Sequence, residues 1–417
     1  MSRRVVVIGG GVIGVCSAYY LARAGADVTV VERGDVAAGS SYGNAGLVVP
    51  SHAVPLAAPG VLWRGLRWLA NPESPFWIRP RLDPALASWL WRFQRHCTDA
   101  HVRRTMPVLR DLSQASLALY EELAALPGLD FGFRRDGVLT VYRTAEGLAG
   151  GRHEAELLES VGIGAKLLDA AAARALEPAL APGITGGLHF PDDAHLTPDR
   201  FVRGLARVAA GLGVRVQTQT EALGFARAGR RLTAVETTRG PLPCDEVVLA
   251  AGSWSPGLGR ALGVSVPIQA AKGYSVTYQA PPDGPRMPLL AAEARFAVTP
   301  MRTETGRTLR LGGTLELAGL DLSINRRRVD AIRRAARDYV RLPEEPPLVE
   351  IWRGLRPCTP DGLPLVGRPR AWDNLVLAAG HAMIGMSLGP ITGHLVAALV
   401  AGEKPALDLT PLAPDRF

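Results

Sequence analysis

The sequence predicts an α/β fold. Three observations predict it: apolar runs of strand length, glycine-rich turns directly after them, and amphipathic stretches of helical period in between. The 417 residues are 47% hydrophobic and 21% charged, which supplies a packed core and argues against disorder. At about 150 residues per domain, this length suits two or three domains.

Val5-Val6-Val7-Ile8 is a continuous apolar run, the pattern of a buried parallel strand. Gly9, Gly11 and Gly14 follow as G-x-G-x-x-G. Val12, Ile13, Cys16, Ala18, Tyr20 and Leu21 then supply the apolar positions of a helix, which Gly25 ends. Val28–Val31 is a second strand, closed by Glu32. Each part has a physical role in a Rossmann-like dinucleotide site. Gly9 permits the tight turn, Gly11 lets backbone approach a pyrophosphate, and Gly14 allows close helix–strand packing. The first turn of the helix, at Val12 and Ile13, offers unpaired N–H groups to phosphate. Glu32 is placed to accept from ribose hydroxyls, which favours an unphosphorylated ribose and hence NAD or FAD.

The next stretch favours FAD. Arg33-Gly34-Asp35 leads to Gly39-Ser40-Ser41-Tyr42-Gly43-Asn44-Ala45-Gly46, where a simple NAD domain would run on into another helix. A loop of small and polar residues suits a chain wrapped around a larger cofactor. Arg33, Ser40, Ser41, Asn44, Ala45 and Gly46 are its candidate contacts.

Further along, Thr197 is a plausible N-cap and Pro198 the first residue of a helix reaching about Gly211. Val214–Val216 and Val247–Ala250 read as strands, the latter followed by the turn Gly252-Ser253-Trp254. Arg326 to Arg341 is an amphipathic helix ending near Pro343. Leu375–Ala379 is a buried strand, with a glycine-rich turn and then a helix from about Pro390 to Val400. His381, His394 and the glycines between them argue against a membrane span here.

Cys16, Cys97, Cys244 and Cys358 lie far apart without metal spacing, so no metal site is expected and the thiols read as reduced, in a cytoplasmic protein. No signal-peptide pattern precedes the first strand. The net charge is +8, and Lys166, Lys272 and Lys404 are the only lysines among 47 basic residues. No helix-turn-helix, RNP or zinc signature accompanies that charge, so no nucleic-acid partner is expected. The surplus concentrates between Gly60 and Arg104. That segment holds Trp63, Trp68, Trp77, Trp89 and Trp91, with Arg64, Arg67, Arg79, Arg81, Arg92, Arg95, Arg103 and Arg104 against Glu73, Asp83 and Asp99. An aromatic–basic stretch suits a bilayer interface, here the inner face of the cell membrane. The alternative is a packed helix pair with a basic rim.

The blocks SSYGNAGLVVP, GGLHFPDDAHLTPDRFVRGLARVAAGLGVRV, VVLAAGSWS, AAKGYSV, WRGLRPCTPDGLPLVG and LVLAAGHAMIGMSLGPITG occur in this order. Over nearly its whole length the chain resembles the FAD-dependent amine oxidoreductases of the D-amino-acid oxidase and glycine oxidase superfamily, most closely the bacterial D-amino-acid dehydrogenases of small-subunit type. The resemblance implies a Rossmann-like FAD-binding domain from residues 1–58, 145–258 and 350–417. A discontinuous α+β substrate domain then uses 59–144 and 259–349, with Ser275–Tyr278, Phe296–Pro300 and Leu309–Gly313 as strands of a mixed sheet.

The resemblance also assigns residues. Arg356, in the LRP block, holds the substrate carboxylate, for which a guanidinium fork is suited. Ala222 lies near the adenine, and Ala251, Gly252 and Trp254 on the pyrophosphate side. Gly380, His381, Gly385, Met386, Ser387 and Leu388 lie against the flavin, where N–H groups at a helix start face its negative charge. His381 reads equally as a buried, hydrogen-bonded histidine. Glycine oxidase carries a second arginine after its Gly-His pair, whereas this chain has Met383, implying a more apolar pocket. Tyr274 and His52 are further pocket candidates, and Lys272, in the KGYS block, reads at least as well as a strand-end surface lysine. The implied activity is FAD-dependent oxidative deamination of D-amino acids to 2-oxo acids and ammonia, by hydride transfer from Cα to flavin N5. Electrons pass to a quinone, another respiratory carrier or oxygen. The alternative substrate is a cyclic or N-methyl amine: D-proline, D-hydroxyproline, sarcosine or glycine. No general base is required if the neutral amine binds.

Overall fold

The glycine-punctuated start folds as β1 (Arg4–Ile8), α1 (Val12–Arg23) and β2 (Asp27–Val31), and α1 ends where Gly25 adopts a φ of +83°. The computed structural model describes residues 2–69, 71–303, 306–344 and 346–417. There follow β3 (Leu47–Val48), α2 (Val61–Leu69), β4 (Phe76–Ile78), α3 (Pro84–His96), α4 (Asp99–Ala124) and β5 (Val138–Tyr142). Next come α5 (Ala145–Glu159), β6 (Lys166–Asp169), α6 (Ala170–Leu176), β7 (Gly186–Phe190), β8 (Ala194–His195) and α7 (Pro198–Gly211). After α7 the chain forms β9 (Arg215–Gln217), β10 (Ala222–Ala228), β11 (Arg231–Thr237), β12 (Gly240–Pro243), β13 (Glu246–Leu249) and α8 (Ser255–Ala261). The last part comprises β14 (Gln269–Gln279), β15 (Leu289–Ala291), β16 (Phe296–Thr303), β17 (Gly306–Leu317) and α9 (Arg326–Tyr339). It closes with β18 (Leu348–Cys358), β19 (Leu365–Gly367), β20 (Leu375–Ala379) and α10 (Gly385–Ala401).

Among the described residues, one sheet has six strands in the order β19-β20-β13-β1-β2-β9, parallel except for β19. Its apolar runs are buried on both faces, as a parallel sheet requires. On one side α1, α4, α7 and α10 share a core with it. On the other lies the antiparallel layer β10-β11-β12.

A nine-stranded mixed sheet runs β18-β14-β17-β16-β15-β5-β7-β6, with β4 paired to β17. One face packs on α9 through Tyr274, Val276, Val329 and Ile332. Strands β6, β7 and β18 hydrogen-bond into this second sheet. The expected segment 145–258 is therefore divided between the two sheets, and the return to the first sheet comes after Cys358 rather than near 350.

The last helix starts five residues earlier than expected, so Pro390 lies inside α10. The proline removes one backbone donor, and the buried Tyr120 hydroxyl donates instead to the carbonyl of Met386. Gly389 and Gly393 make the close α1–α10 contact. A Cβ at Gly393 would stand 2.5 Å from the carbonyl carbon of Cys16, and one at Gly389 would stand 2.7 Å from Val12. These two glycines serve helix packing rather than a flexible turn.

The tryptophan segment is not one surface. Trp89 is buried, stacks on Phe93 at 5.1 Å and donates its Nε1–H to the Cys358 carbonyl at 2.9 Å. Trp68 and Trp77 are half-buried, whereas Trp63 and Trp91 are exposed. The Arg64 side chain lies outside the described residues. Among those described, no helix is long and apolar enough to cross a membrane.

Candidate functional site

The glycine turn is shaped by contacts that exclude side chains. Gly9 has a φ of +114°, and a Cβ there would meet the Ala250 carbonyl oxygen at 2.6 Å. A Cβ on Gly14 would stand 1.8 Å from the Gly9 oxygen. Gly11 is different: a Cβ there meets only Ser41 Oγ, at 3.4 Å, so its other side is open. Ser41 Oγ accepts from the Val12 N–H at 2.9 Å, at the start of α1 and ahead of Ile13.

The Glu32 carboxylate sits at the end of β2 and accepts from the N–H groups of Gly10 at 2.7 Å and Gly34 at 2.8 Å. Around it, Gln219 and Thr220 donate backbone N–H groups to the carbonyls of Gly34 and Glu32, which brings Ala222, the first residue of β10, close to this edge. The Arg33 guanidinium lies 4.1 Å from the centre of the Trp254 ring. Ala251 and Gly252 close the far end of β13. The open face of Gly11, the N-terminus of α1 and an acid beside the turn form a cradle that fits the pyrophosphate and ribose of FAD.

The loop of small residues is tied to the second sheet. Ser40 accepts from the Leu355 N–H at 3.1 Å and donates back to the Leu355 carbonyl, so its hydroxyl serves the sheet rather than facing open space. Asn44 accepts from the Gly46 N–H at 2.8 Å. Ala45 lies over Gly312, and Gly43 lies under the Trp352 ring with no room for a Cβ. Buried Arg310 fixes the loop by donating to the carbonyls of Tyr42 and Asn44 at 2.9 and 3.0 Å.

Arg356 projects from β18 onto the face of the sheet opposite α9. Its Nη1 donates to the Thr314 carbonyl at 2.7 Å, and no carboxylate among the described residues pairs with it. Burial pulls its pKa below the ordinary guanidinium value. The guanidinium lies flat over Gly273, where a Cβ would stand 2.1 Å from Nη1. Gly273 has an ordinary backbone conformation, so Gly273→Ala acts by this clash alone. It should lower kcat/KM by about 100-fold with flavin content unchanged, because a misplaced binding group costs roughly that much. Steady-state kinetics on flavin-loaded protein check it.

The other expected pocket residues divide. Tyr274 packs on the α9 face, away from Arg356, and its hydroxyl accepts from the Asn325 N–H at 3.2 Å. Strand alternation explains this: Gly273 takes the face that meets Arg356, so Tyr274 cannot. Lys272 is only 2% exposed and ion-paired on the α9 face, not a surface lysine. Met383 is 44% exposed. Gly380, at a φ of +84°, turns the chain into His381, whose Nε2 lies 2.9 Å from Thr392 Oγ1. Gly385 opens α10 with no side-chain cap. Behind it Ser387 Oγ accepts from the Val49 N–H at 3.0 Å, while Met386 and Leu388 are buried. His52 is half-buried, with its Nδ1 enclosed and without a protein partner.

Burial holds His52 and His195 at about 4 and His381 at about 3, so all three stay neutral in the fold. Asp193, hydrogen-bonded to Ser51, is pushed up by burial to about 7. The two effects oppose each other. Between about pH 4 and 6.5 the unfolded chain binds histidine protons that the native state refuses, so acidification destabilises. Over the same range native Asp193 holds a proton that the unfolded chain releases, so acidification stabilises. Asp193→Asn therefore steepens the acid-side fall of the urea midpoint between pH 7 and 4.5. A flatter curve contradicts this.

A family model described as FAD dependent oxidoreductase (DAO) matches residues 4–399. The chain belongs to the DAO family of FAD-dependent oxidoreductases. The D-amino acid dehydrogenase of Methylobacterium radiotolerans is 37% identical over 426 residues, covering 99% of each chain. Glycine oxidase from Geobacillus kaustophilus superposes over the whole of both chains with a TM-score of 0.81 at 25% identity. L-proline dehydrogenase from P. horikoshii shares the fold, with a TM-score of 0.77 at 21% identity over 100% of this chain and 98% of that one. As a DAO-family member the chain is an FAD-dependent oxidoreductase with the mixed α/β architecture expected of it.

Within this DAO-family site, sequence reading passes over Gly273, Arg310 and Thr314. A glycine inside a strand signals close approach by another group, and that signal is present in KGYS. Arg310 carries no comparable signal, because it acts on backbone carbonyls, and Thr314 is flagged only by Gly312 and Gly313 beside it.

Proposed function

We propose that this enzyme oxidises D-amino acids to 2-oxo acids and ammonia. The observation that carries the reading is Arg356, a half-buried guanidinium without a described carboxylate partner on the face of the sheet that meets the small-residue loop. A cation left unpaired where it is partly withdrawn from water is costly unless a ligand supplies the anion. A substrate carboxylate completes it through a bidentate pair. Gly273 gives the guanidinium its plane and Thr314 fixes one nitrogen, so the bound carboxylate inherits a defined orientation. When bound, FAD supplies the acceptor for the hydride that leaves the substrate Cα. The substrate enters as its neutral amine, so no side chain has to take a proton, and water hydrolyses the imino acid. Relatives named D-amino acid dehydrogenase support the substrate class.

Anaerobic addition of D-alanine should bleach the flavin absorption band, and L-alanine should leave it. Bleaching by D-proline or sarcosine and not by D-alanine overturns the substrate assignment in favour of the secondary amine.

The electron acceptor proposed is a quinone reached at an anionic membrane surface. Helix α2 presents Trp63 (73% exposed), Leu66 and Leu69 with Arg67, and Leu82 and Trp91 are also exposed. Exposed tryptophan and leucine beside arginine suit the headgroup region. Trp63→Ser/Leu66→Ser should reduce flotation with anionic vesicles about tenfold while leaving activity with a soluble dye acceptor intact. Equal flotation of variant and wild type overturns this contact.

A further inference from the structure

One strand in the second sheet breaks register beside Arg356. Lys272 pairs with Glu316, but Tyr274, two residues on, pairs with Gly313, so β17 carries one extra residue at Thr314–Leu315. Thr314 adopts a φ of +64°, unusual for a β-branched side chain, and its Oγ1 is buried without a partner. An extra residue in a strand re-aims the side chains beyond it.

Two consequences meet at Arg356. Thr314 turns its carbonyl onto the guanidinium, at 2.7 Å. Arg310 and Gly312 lie on the loop-facing side, and simple alternation would put Glu316 there too, beside Arg356. The extra residue moves Glu316 to the α9 side. There its buried carboxylate lies 3.6 Å from Lys272 Nζ and 3.4 Å from Arg328 Nε. Lys272 also binds Asp321 and the Ser323 carbonyl, both at 2.9 Å, which ties down the chain leaving β17.

We propose that the bulge at Thr314, locked by the buried Lys272–Glu316–Arg328 cluster, is the device that reserves Arg356 for a substrate carboxylate. It presents a neutral carbonyl to the guanidinium and removes the carboxylate that would otherwise neutralise it. Thr314, Glu316 and Lys272 are positioning residues. This inference rests on the carboxylate reading of Arg356.

The test uses flavin-loaded enzyme, D-alanine kinetics and the affinity for propionate read from the perturbed flavin spectrum. Lys272→Met leaves Glu316 short of one counter-charge and frees the chain after β17. It should raise KM and the propionate Kd together, about tenfold, with kcat within about threefold. A merely structural lysine would lower thermal stability and leave both constants unmoved, and that result overturns the proposal. The double variant Lys272→Met/Glu316→Gln removes the stranded charge as well and should recover most of the propionate affinity. No recovery overturns the electrostatic part. Arg356→Met separates the two readings: if it leaves the propionate Kd unchanged, the carboxylate reading itself fails. If it raises that Kd while Lys272→Met does not, only the present proposal fails.

Discussion

Arg356→Met should lower kcat/KM for every D-amino-acid substrate by roughly 10²- to 10⁴-fold while raising the thermal stability of the protein. Both effects have one cause. The guanidinium is half-buried, desolvation pulls its pKa down, and no described carboxylate offsets that cost. Hydrogen bonds to a charged partner contribute about 1.5–3 kcal/mol each, and a bidentate pair makes two. Losing them removes about 3–6 kcal/mol of transition-state binding, which gives roughly the stated range. In the free protein the same substitution loses one bond to the Thr314 carbonyl, at a cost of about 1.5–3 kcal/mol, and removes an uncompensated cation whose desolvation costs several kcal/mol. Methionine keeps the volume of the stem, so no large cavity forms. Flavin content should not change, since the glycine cradle and Glu32 belong to the other sheet. Activity assays with several D-amino acids, a flavin absorbance ratio and a melting curve test the three parts. Retention of wild-type kcat/KM would falsify the role assigned to Arg356. A lower melting temperature would mean that the arginine is a structural bond rather than a held-open site.

The legibility of this molecule in its sequence depends on the range over which each feature is specified. The β1–α1–β2 unit is local: apolar run, glycines, apolar helix and acid all lie within one stretch, and the structure places Gly9, Gly14 and Glu32 as their spacing implies. Helix α7 is likewise legible from Thr197-Pro198, although the Thr197 hydroxyl donates to the Arg302 carbonyl at 2.8 Å instead of capping the helix. The hidden features depend on parity and distant partners. Tyr274 and Gly273 are neighbours in the same motif, and only the pairing of β14 decides which of them faces Arg356. The early start of α10 depends on Tyr120, far away in the chain, taking the role that Pro390 vacates. The bulge at Thr314 is announced only by its neighbours Gly312 and Gly313, and a threonine rather than a glycine or asparagine holds the left-handed conformation itself. Its cost is met by the surrounding sheet, and no local propensity records that.

The glycine turn allows fold and cofactor to be separated by paired substitutions. Gly14→Ala should abolish flavin binding by wrecking the turn itself. The new methyl would lie 1.8 Å from the Gly9 carbonyl oxygen, and that atom is backbone, so no rotamer change relieves the contact. Gly9 has little room to retreat, because the Ala250 carbonyl at the end of β13 already leaves no space for a Cβ on it. Overpacking of a rigid site costs about 1–3 kcal/mol or more, a sizeable share of a total stability of about 5–15 kcal/mol. The protein should be purified colourless, with a lower urea midpoint even before FAD is considered. Gly11→Ala should do something else. Its methyl would sit 3.4 Å from Ser41 Oγ, an ordinary contact, and would project toward the open side of the turn. The apoprotein should then unfold at the wild-type urea concentration, and FAD affinity should fall by at least about tenfold, because a side chain now stands where backbone must approach the pyrophosphate. Titration of apoprotein with FAD, beside urea unfolding of the same samples, separates the two. Equal destabilisation by both substitutions would show that Gly11 is a packing glycine like Gly14. Full FAD affinity in Gly11→Ala would move the pyrophosphate away from this turn and leave the Glu32 edge to hold the cofactor alone.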